Sequence, residues 1–260
     1  MSNPDRLRPP GRTAKLVDSK RSKPRTEPVL ERDAAMSAPT PDPPRSALTA
    51  PEAIARRRAT RHFDPDRPLA DDLLRTILHL ATLAPSSYNL QPWRFVVVRS
   101  KPARERLRQC AYGQAKIAEA PVVVIVLGYH YPHRSHLDAM IDEQVARGVT
   151  TPELGATLRG MAFAARERNP NHPLWATRSA MLAAATMMIA AESLGVASAP
   201  MEGFEPDKVR AAFGIPDDHS ICCLVALGYP AETKPFPGRF GLADVCYDEH
   251  FGQPWTLGEV

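Results

Sequence analysis

Hydrophobic positions follow helical spacing in some stretches of the chain and strand spacing in others. Between residues 71 and 84 the apolar side chains recur every three to four positions, which predicts an amphipathic helix. Residues 95–98 and 220–228 are short apolar runs typical of strands. The valine-rich run 121–129 is apolar throughout, so we expect a central strand covered on both faces.

Other segments carry helix start and stop signals. Thr49 and Glu52 form a capping box, and Gly195 stands where a helix would end. We predict further helices over residues 51–58, 102–110, 135–147, 152–168, 177–194 and 206–213. The helix over 177–194 is apolar on nearly all sides, which indicates burial inside the protein or against a second subunit. Strands and helices interleave without a regular βαβ repeat, so the predicted class is α+β.

A loop of hydrogen-bonding side chains joins the first long helix to the first strand. It follows the sequence Pro-Ser-Ser-Tyr-Asn-Leu-Gln-Pro-Trp over residues 85–93. A polar loop held at both ends by core elements suits a ligand site, whereas the alternative is that Ser and Asn only cap the neighbouring elements. The candidate ligand residues here are Pro85, Ser86, Ser87, Asn89 and Gln91.

Charge is distributed unevenly along the 260 residues. Residues 1–45 carry ten Lys or Arg against six Asp or Glu, which accounts for the whole net charge of +4, and they hold nine prolines and no aromatic residue. This composition predicts a disordered basic tail followed by one domain over 46–260. Mixed charges without aromatic residues do not favour nucleic-acid binding. A start of translation at Met36 is an alternative origin of the first 35 residues.

Cysteine usage and hydropathy indicate the compartment. Cys110, Cys222, Cys223 and Cys246 form no C-x-x-C pair, and neighbours in a strand point to opposite faces, so the adjacent pair is not expected to form a disulfide. A reducing cytoplasm is the simplest interpretation. The longest apolar stretch, residues 180–191, is shorter than the roughly 20 residues that span a bilayer, so we expect no membrane partner.

Several common site types are absent from the sequence. It contains no G-x-G-x-x-G, P-loop or G-x-S-x-G motif. His130, His133 and His136 stand close together, but a proline lies among them and no carboxylate or thiolate has suitable spacing. We therefore assign no metal.

Three separated segments are informative together. Arg-Arg-Ala-Thr-Arg-His-Phe over 57–63 precedes the polar loop, and Gly-Val-Ala-Ser-Ala-Pro-Met-Glu-Gly-Phe over 195–204 follows it. In this order, from about Thr49 to about Trp255, the chain resembles the FMN-dependent nitroreductase family. The resemblance implies a central mixed β-sheet flanked by helices, in an intertwined homodimer that binds FMN at the subunit interface.

Basic residues near both ends of the domain are implied in FMN binding. By the resemblance, Arg57, Arg58, Ala59 and Arg61 lie against the flavin, although many relatives have serine where this chain has Ala59. Guanidinium groups make charge-assisted bonds to phosphate. The alternative is that these cations complement a helix dipole. Lys234 and Arg239 resemble the second basic pair on the phosphate, with Arg239 favoured.

The remaining implied contacts concern the flavin ring. The loop residues 85–91 would reach FMN from the neighbouring subunit. Glycine allows a ligand to approach the backbone closely, and an N–H directed at flavin N5 would favour the reduced state. The residues expected near the ring are Pro200, Met201, Glu202 and Gly203, with Gln114 at the pyrimidine edge.

The resemblance implies a homodimeric oxidoreductase with a ping-pong cycle. NADH or NADPH reduces FMN, and a nitroaromatic, a quinone or a similar small electron-poor acceptor then takes two electrons. Glu202 and Gly203 are nearest the reactive ring, but no catalytic side chain is assigned because the flavin carries the chemistry. Two alternatives are a flavin enzyme of one biosynthetic intermediate and a flavin-binding protein without turnover.

Overall fold

The protein is built around an antiparallel β-sheet. The computed structural model describes residues 47–169, 171–233 and 235–258. The predicted tail over 1–45 and the alternative start at Met36 lie outside this part of the chain. Within it, four strands are ordered β1-β2-β4-β3. They are β1 (Trp93–Val98), β2 (Val122–Tyr129), β3 (Ala197–Met201) and β4 (His219–Gly228).

Helices surround the sheet, as an α+β class requires. They are α1 (Ala50–Arg56), α2 (Asp71–Thr82), α3 (Lys101–Cys110), α4 (Ala115–Glu119), α5 (Pro132–Ser135), α6 (Leu137–Ala146), α7 (Pro152–Arg168), α8 (His172–Ser193), α9 (Pro206–Phe213) and α10 (Leu242–Val245). The predicted capping box at Thr49 is present. Six of these helices have proline at one of their first two positions, where the backbone N–H that proline lacks has no partner within the helix.

The expected mixed sheet is in fact antiparallel in all three strand pairs of the described chain. Among the described residues, a parallel pairing occurs only as the isolated bridge between Ala59 and Ser198. It forms because the segment after α1 runs beside the edge strand β3 for a short distance and then turns away. The bridge matters for the site, because it holds the arginine segment at that edge.

Two apolar layers cover the sheet. Val122, Val124 and Val126 of β2 face α2 and α8, whereas Val123 and Ile125 face α3, α4 and α9. Every residue of β2 is buried, as expected for a central strand. The alternation of β2 side chains therefore supports one core on each face.

Helix α8 is the main support of one face. It is 22 residues long, and its apolar composition would allow it to cross a membrane, but half of that apolar window is buried inside the protein. Its Ala180, Ala183, Ala184 and Met187 pack on the sheet. A Cβ at Gly128 of β2 would lie 2.8 Å from the backbone carbon of Ala176, so helix and strand approach closely there. The packing identifies α8 as a core helix.

The strand β3 was missed by the sequence prediction, which assigned residues 200–203 only to the neighbourhood of the ligand. Its sequence, Ala-Ser-Ala-Pro-Met, has little β propensity. Pro200 is tolerated because β3 lies at the edge of the sheet, where one side of the strand needs no ladder bond. Pairing with β4, rather than local preference, makes this segment a strand.

A β-bulge changes the expected geometry of the two adjacent cysteines. Val126 pairs with Cys223 and Leu127 with Ile221, so Cys222 is the extra residue. Both cysteines consequently pack on the α8 side of the sheet, contrary to the expected opposite faces. The four cysteines are free thiols, and burial raises the pKa of Cys222 to about 11 and that of Cys223 to about 12. Such thiols are poor nucleophiles.

Candidate functional site

The arginine segment after α1 is held against the edge strand by backbone bonds. Arg57 N–H donates to Ala53 O at 2.9 Å, which closes the helix, and Thr60 N–H donates to Ser198 O at 3.1 Å. Thr60 is buried, whereas Ala59 and Arg61 beside it are exposed. The segment therefore presents its neighbouring side chains to solvent from a fixed backbone.

A cavity of about 380 Å³ lies beside this segment and contains three of the predicted residues, Arg58, Ala59 and Arg61. The sequence prediction missed the rest of its lining: Ala55, Arg56, Thr60, Glu192, Ala197, Pro230, Glu232, Thr233 and Phe236. The segments 55–61, 192–197 and 230–236 are far apart in sequence. Of the missed residues, Thr60 lies inside the arginine motif and Arg56 precedes it, so these two could have been found from the sequence. The cavity is thus a product of tertiary packing.

The cavity is basic but not uniformly so. Arg56, Arg58 and Arg61 line it together with two carboxylates, Glu192 and Glu232. Arg58 Nη1 donates to Ala55 O and to Arg57 O, so one nitrogen of this guanidinium does cap the C-terminus of α1. The helix-dipole alternative is therefore correct for part of Arg58. The rest of that guanidinium faces the cavity.

The structure brings Arg58 and Arg239 to the same aromatic ring. The guanidinium carbon of Arg58 lies 4.4 Å from the ring centroid of Phe236, and that of Arg239 lies 5.4 Å from it. These distances are typical of cation–π contacts. The N-terminal and C-terminal arginines expected at the phosphate are thus neighbours in space. The predicted Lys234 lies outside the described residues.

Arg57 does not line the cavity, yet its environment is unusual. Its Nη1 atom is buried and has no hydrogen-bond partner within the described chain. A buried guanidinium nitrogen without an acceptor is unfavourable, since such groups are normally paired. An anion bound beside Arg57 would supply the missing acceptor.

A second group of predicted residues meets beyond the end of β3. Gln114 Nε2–H donates to Gly203 O at 2.8 Å. A Cβ at Gly203 would make only ordinary contacts, at 3.6 Å to Gln114 and 3.8 Å to the Tyr112 ring, so packing within the described residues does not require glycine there. Glu202 and Gly203 are exposed, whereas Met201 is buried and Pro200 half-buried. This surface is open to a ligand.

The polar loop has a strained backbone that is held in place by the chain around it. Tyr88, Asn89 and Gln91 have φ values of 53°, 54° and 44°, in the left-handed region. Ser86 Oγ accepts a hydrogen bond from Gln91 N–H at 2.9 Å, and Leu90 is buried among residues of α6 and α7. Three non-glycine residues in this conformation are costly, which is typical of functional loops. The Ser86 side chain therefore bonds within the loop and does not cap the following helical turn, and Pro85, Ser87 and Asn89 are exposed.

The loop and the arginine cavity lie at opposite corners of the sheet. The loop leads into β1 at Trp93, which pairs with Gly128 of β2. Ser198 of β3 pairs with Leu227 of β4, which in turn pairs with Val122 at the other end of β2. Three strand spacings and six residues separate these corners, which amounts to about 25 Å. Within one chain, the strand positions that adjoin the loop and the cavity are therefore far apart.

The histidine-rich segment after β2 forms a separate buried cluster. His133 Nε2 lies 2.9 Å from Glu167 Oε1, and Arg134 donates to both oxygens of that carboxylate, which lowers the pKa of Glu167 to about 2. The His133 and His172 rings stack at 5.4 Å, and burial lowers the pKa of each histidine. Among the described residues no group of three His, Cys, Asp or Glu side chains could hold a metal ion.

Comparison with known proteins assigns the chain. The Nitroreductase family model matches residues 54–229. A Thermus thermophilus protein named NADH dehydrogenase is 39% identical over 185 residues, which cover 71% of this chain and 88% of that protein. A Staphylococcus epidermidis protein described as an NAD(P)H nitroreductase is 31% identical over 201 residues, which cover 72% and 90%.

Solved structures agree with this match. A protein from Exiguobacterium sibiricum, described as a nitroreductase and solved in complex with FMN, superposes with a TM-score of 0.72 at 25% identity. The superposition covers 77% of this chain and 97% of that one. Because the family model spans the arginine segment, the polar loop and all four strands, this chain belongs to the nitroreductase family of oxidoreductases.

Proposed function

We propose that this protein is a homodimeric FMN-dependent oxidoreductase. The observation that carries the proposal is the arginine-lined cavity at the edge of β3, where Arg58 and Arg61 line the wall and Arg239 approaches from the C-terminal segment. Such a cluster suits the doubly charged phosphate of a flavin mononucleotide, because guanidinium groups stay charged and bind phosphate oxygens in pairs.

The residues present fit FMN in two further respects. Arg57 Nη1 is a buried donor without an acceptor in the described chain, which a phosphate or a polar ring edge would satisfy. Gly203 is a glycine that neither packing nor backbone conformation requires, since a Cβ there would make only ordinary contacts. A closely approaching ligand explains both features.

The chain's own groups then hold and orient the cofactor. The arginines of the cavity bind the phosphate, and Gly203 presents its backbone to the reactive part of the ring. Gln114 fixes this backbone through its bond to Gly203 O. Bound FMN would supply two-electron transfer from NADH or NADPH to a small electron-poor acceptor, such as a nitroaromatic or a quinone, in a ping-pong order.

A second subunit completes the site in this proposal. The polar loop lies about 25 Å from the arginine cavity across the sheet of its own chain. Its strained backbone is nevertheless held in place, as in a binding loop, by the Ser86–Gln91 bond and by buried Leu90. A two-fold dimer that places the loop of one subunit beside the cavity of the other gives each loop a ligand.

Exposed apolar surface supports this assembly. Leu174 and Leu182 on the outer side of α8 are 42% and 48% exposed. Near the C-terminus, Phe251 is 90% exposed and its ring contacts that of Tyr247, with 4.6 Å between the ring centroids. Large exposed apolar patches mark protein–protein interfaces. We infer that the outer side of α8 and the part of the chain around Phe251 pack against the partner subunit.

The visible spectrum of the purified protein tests the proposal. We expect a yellow protein whose flavin absorbance bleaches on addition of NADPH or NADH without oxygen and recovers on addition of a nitroaromatic or a quinone. A colourless protein that takes up no FMN would contradict flavin binding. A bound flavin that neither nucleotide bleaches would instead support a binding protein without turnover.

A further inference from the structure

Phe236 lies between the two arginine segments expected to bind the phosphate. Its ring lines the cavity, and it has the guanidinium groups of Arg58 at 4.4 Å and of Arg239 at 5.4 Å from its centroid. It is also 55% exposed, so the ring is not part of the core. The contacts that define its position are therefore those with the two guanidinium groups.

An aromatic ring has a particular advantage as a partner for these arginines. A carboxylate would hold a guanidinium by accepting its N–H bonds and would neutralise its charge. A ring attracts the cation through its π face, so the charge is kept and the N–H groups stay free for another acceptor. Arg58 already gives Nη1 to Ala55 O and Arg57 O, so the ring completes its orientation without using its remaining donors.

We propose that Phe236 is a positioning residue that holds Arg58 and Arg239 over the cavity so that both bind the phosphate of FMN. The inference rests on the proposed function, because it assigns the cavity to the flavin phosphate. The role of Phe236 explains how Arg58 and Arg239, which are distant in sequence, bind the same phosphate. It also predicts that Phe236 selects for FMN over riboflavin, which has the same ring and ribityl chain but no phosphate.

The test compares the two flavins on full-length protein freed of flavin, with binding followed by quenching of flavin fluorescence. The variant Phe236→Leu keeps an apolar side chain but has no π face. We expect it to bind FMN about five- to tenfold more weakly, the loss of two exposed cation–π contacts, and to bind riboflavin as the wild type does. Phe236→Tyr should restore FMN binding, because tyrosine has the same ring face.

A matched control lies four residues further along the same segment. Phe240 is 81% exposed, and no guanidinium lies over its ring among the residues described here. Phe240→Leu should therefore leave the ratio of FMN to riboflavin affinity unchanged. Phe236→Glu gives a second contrast, since a carboxylate would bind both arginines but compete with the phosphate, so we expect it to abolish the preference for FMN.

Each outcome decides between the inference and its alternatives. An unchanged FMN to riboflavin ratio in Phe236→Leu, or equal losses for both flavins, would mean that Phe236 has only a structural role and would overturn the inference. A wild-type protein that binds riboflavin as tightly as FMN would leave flavin binding standing and overturn this inference alone. A wild-type protein that binds neither flavin would overturn the proposed function as well.

Discussion

At the residue scale, the buried guanidinium of Arg57 is the side chain whose environment FMN binding would change most directly. Its Nη1 atom is buried without an acceptor among the described residues, so the flavin-free protein carries an unfavourable group. Arg57→Ala should weaken FMN binding by about one to two orders of magnitude, the usual contribution of a hydrogen bond to a charged group. The same change should leave the melting temperature of the flavin-free protein unchanged or raise it.

Flavin titration and thermal unfolding of the same preparation check this prediction. Arg75→Ala is the matched control, because Arg75 is an exposed arginine on α2 outside the cavity. If Arg57→Ala lowered the melting temperature and left FMN affinity intact, Arg57 would be a structural residue, and its assignment to the cofactor would be wrong.

At the element scale, the contact between β2 and α8 should be a sensitive part of the core. A Cβ at Gly128 would lie 2.8 Å from Ala176 C and 2.9 Å from Ala176 O, and a helix backbone cannot yield as a flexible side chain can. We expect Gly128→Ala to lower the free energy of unfolding by about 1–3 kcal/mol, the usual cost of overpacking. Urea unfolding measures the change.

A glycine-to-alanine substitution at an exposed position of a helix should instead stabilise the protein. Gly160 lies within α7, is exposed, and a Cβ there would meet no atom within 4 Å. Gly160→Ala should raise the free energy of unfolding by up to about 1 kcal/mol, because alanine has the higher helix propensity. Equal effects of the two substitutions would contradict the close approach of α8 to β2.

The histidine cluster between α5 and α8 gives stability a dependence on pH. Burial lowers the pKa of His133 and His172 below the ordinary value of 6.5. Arg134 lowers the pKa of both and Arg166 that of His172, whereas Glu167 opposes these shifts. Below about pH 6.5 the unfolded chain takes up protons that the folded chain binds more weakly. The free energy of unfolding should therefore be greatest above that pH and fall as the pH drops through the lowered values.

Urea unfolding at several values between about pH 7.5 and pH 5.5 tests this sign. In His172→Gln one titrating group is removed, so the slope of stability against pH should be smaller than in the wild type. If His172→Gln left the slope of the unfolding free energy against pH unchanged, His172 would not contribute to the pH dependence.

At the scale of the whole molecule, the proposed dimer links assembly to cofactor binding. Leu182 lies on the outer side of α8 and is 48% exposed, so a charge there disturbs an interface without entering the core. Leu182→Glu should shift the protein towards monomer in analytical ultracentrifugation and lower its flavin content in parallel, because a carboxylate in an apolar interface is strongly disfavoured.

The control is Val149→Glu, because Val149 is 70% exposed and lies between α6 and α7, away from the outer side of α8. We expect it to change neither the oligomeric state nor the flavin content. A monomeric Leu182→Glu protein that retains full flavin content would contradict a site built from two subunits. A wild-type protein that is monomeric and fully loaded with flavin would contradict the dimer itself.

Much of the local structure was determined by the sequence alone. The helices over 152–168 and 206–213 begin and end at the predicted residues, because the proline starts of both and the glycine stop of the second act over a few positions. The strand run 121–129 was recognised from its unbroken apolar character, and β2 differs from it by one residue. The spaced motifs likewise identified the family, which the family match over 54–229 confirms.

Only the tertiary structure decided which distant residues meet. The segment 197–201 has a poor strand sequence and becomes β3 through its pairing with β4, and the bulge at Cys222 turns both cysteines to one face. Phe236 carries no local signal, yet its ring lies against Arg58, 178 positions earlier in the chain. Short-range signals act through neighbours along the backbone, whereas the cavity, the aromatic contact and the separation of the polar loop from the arginines depend on how the whole chain packs.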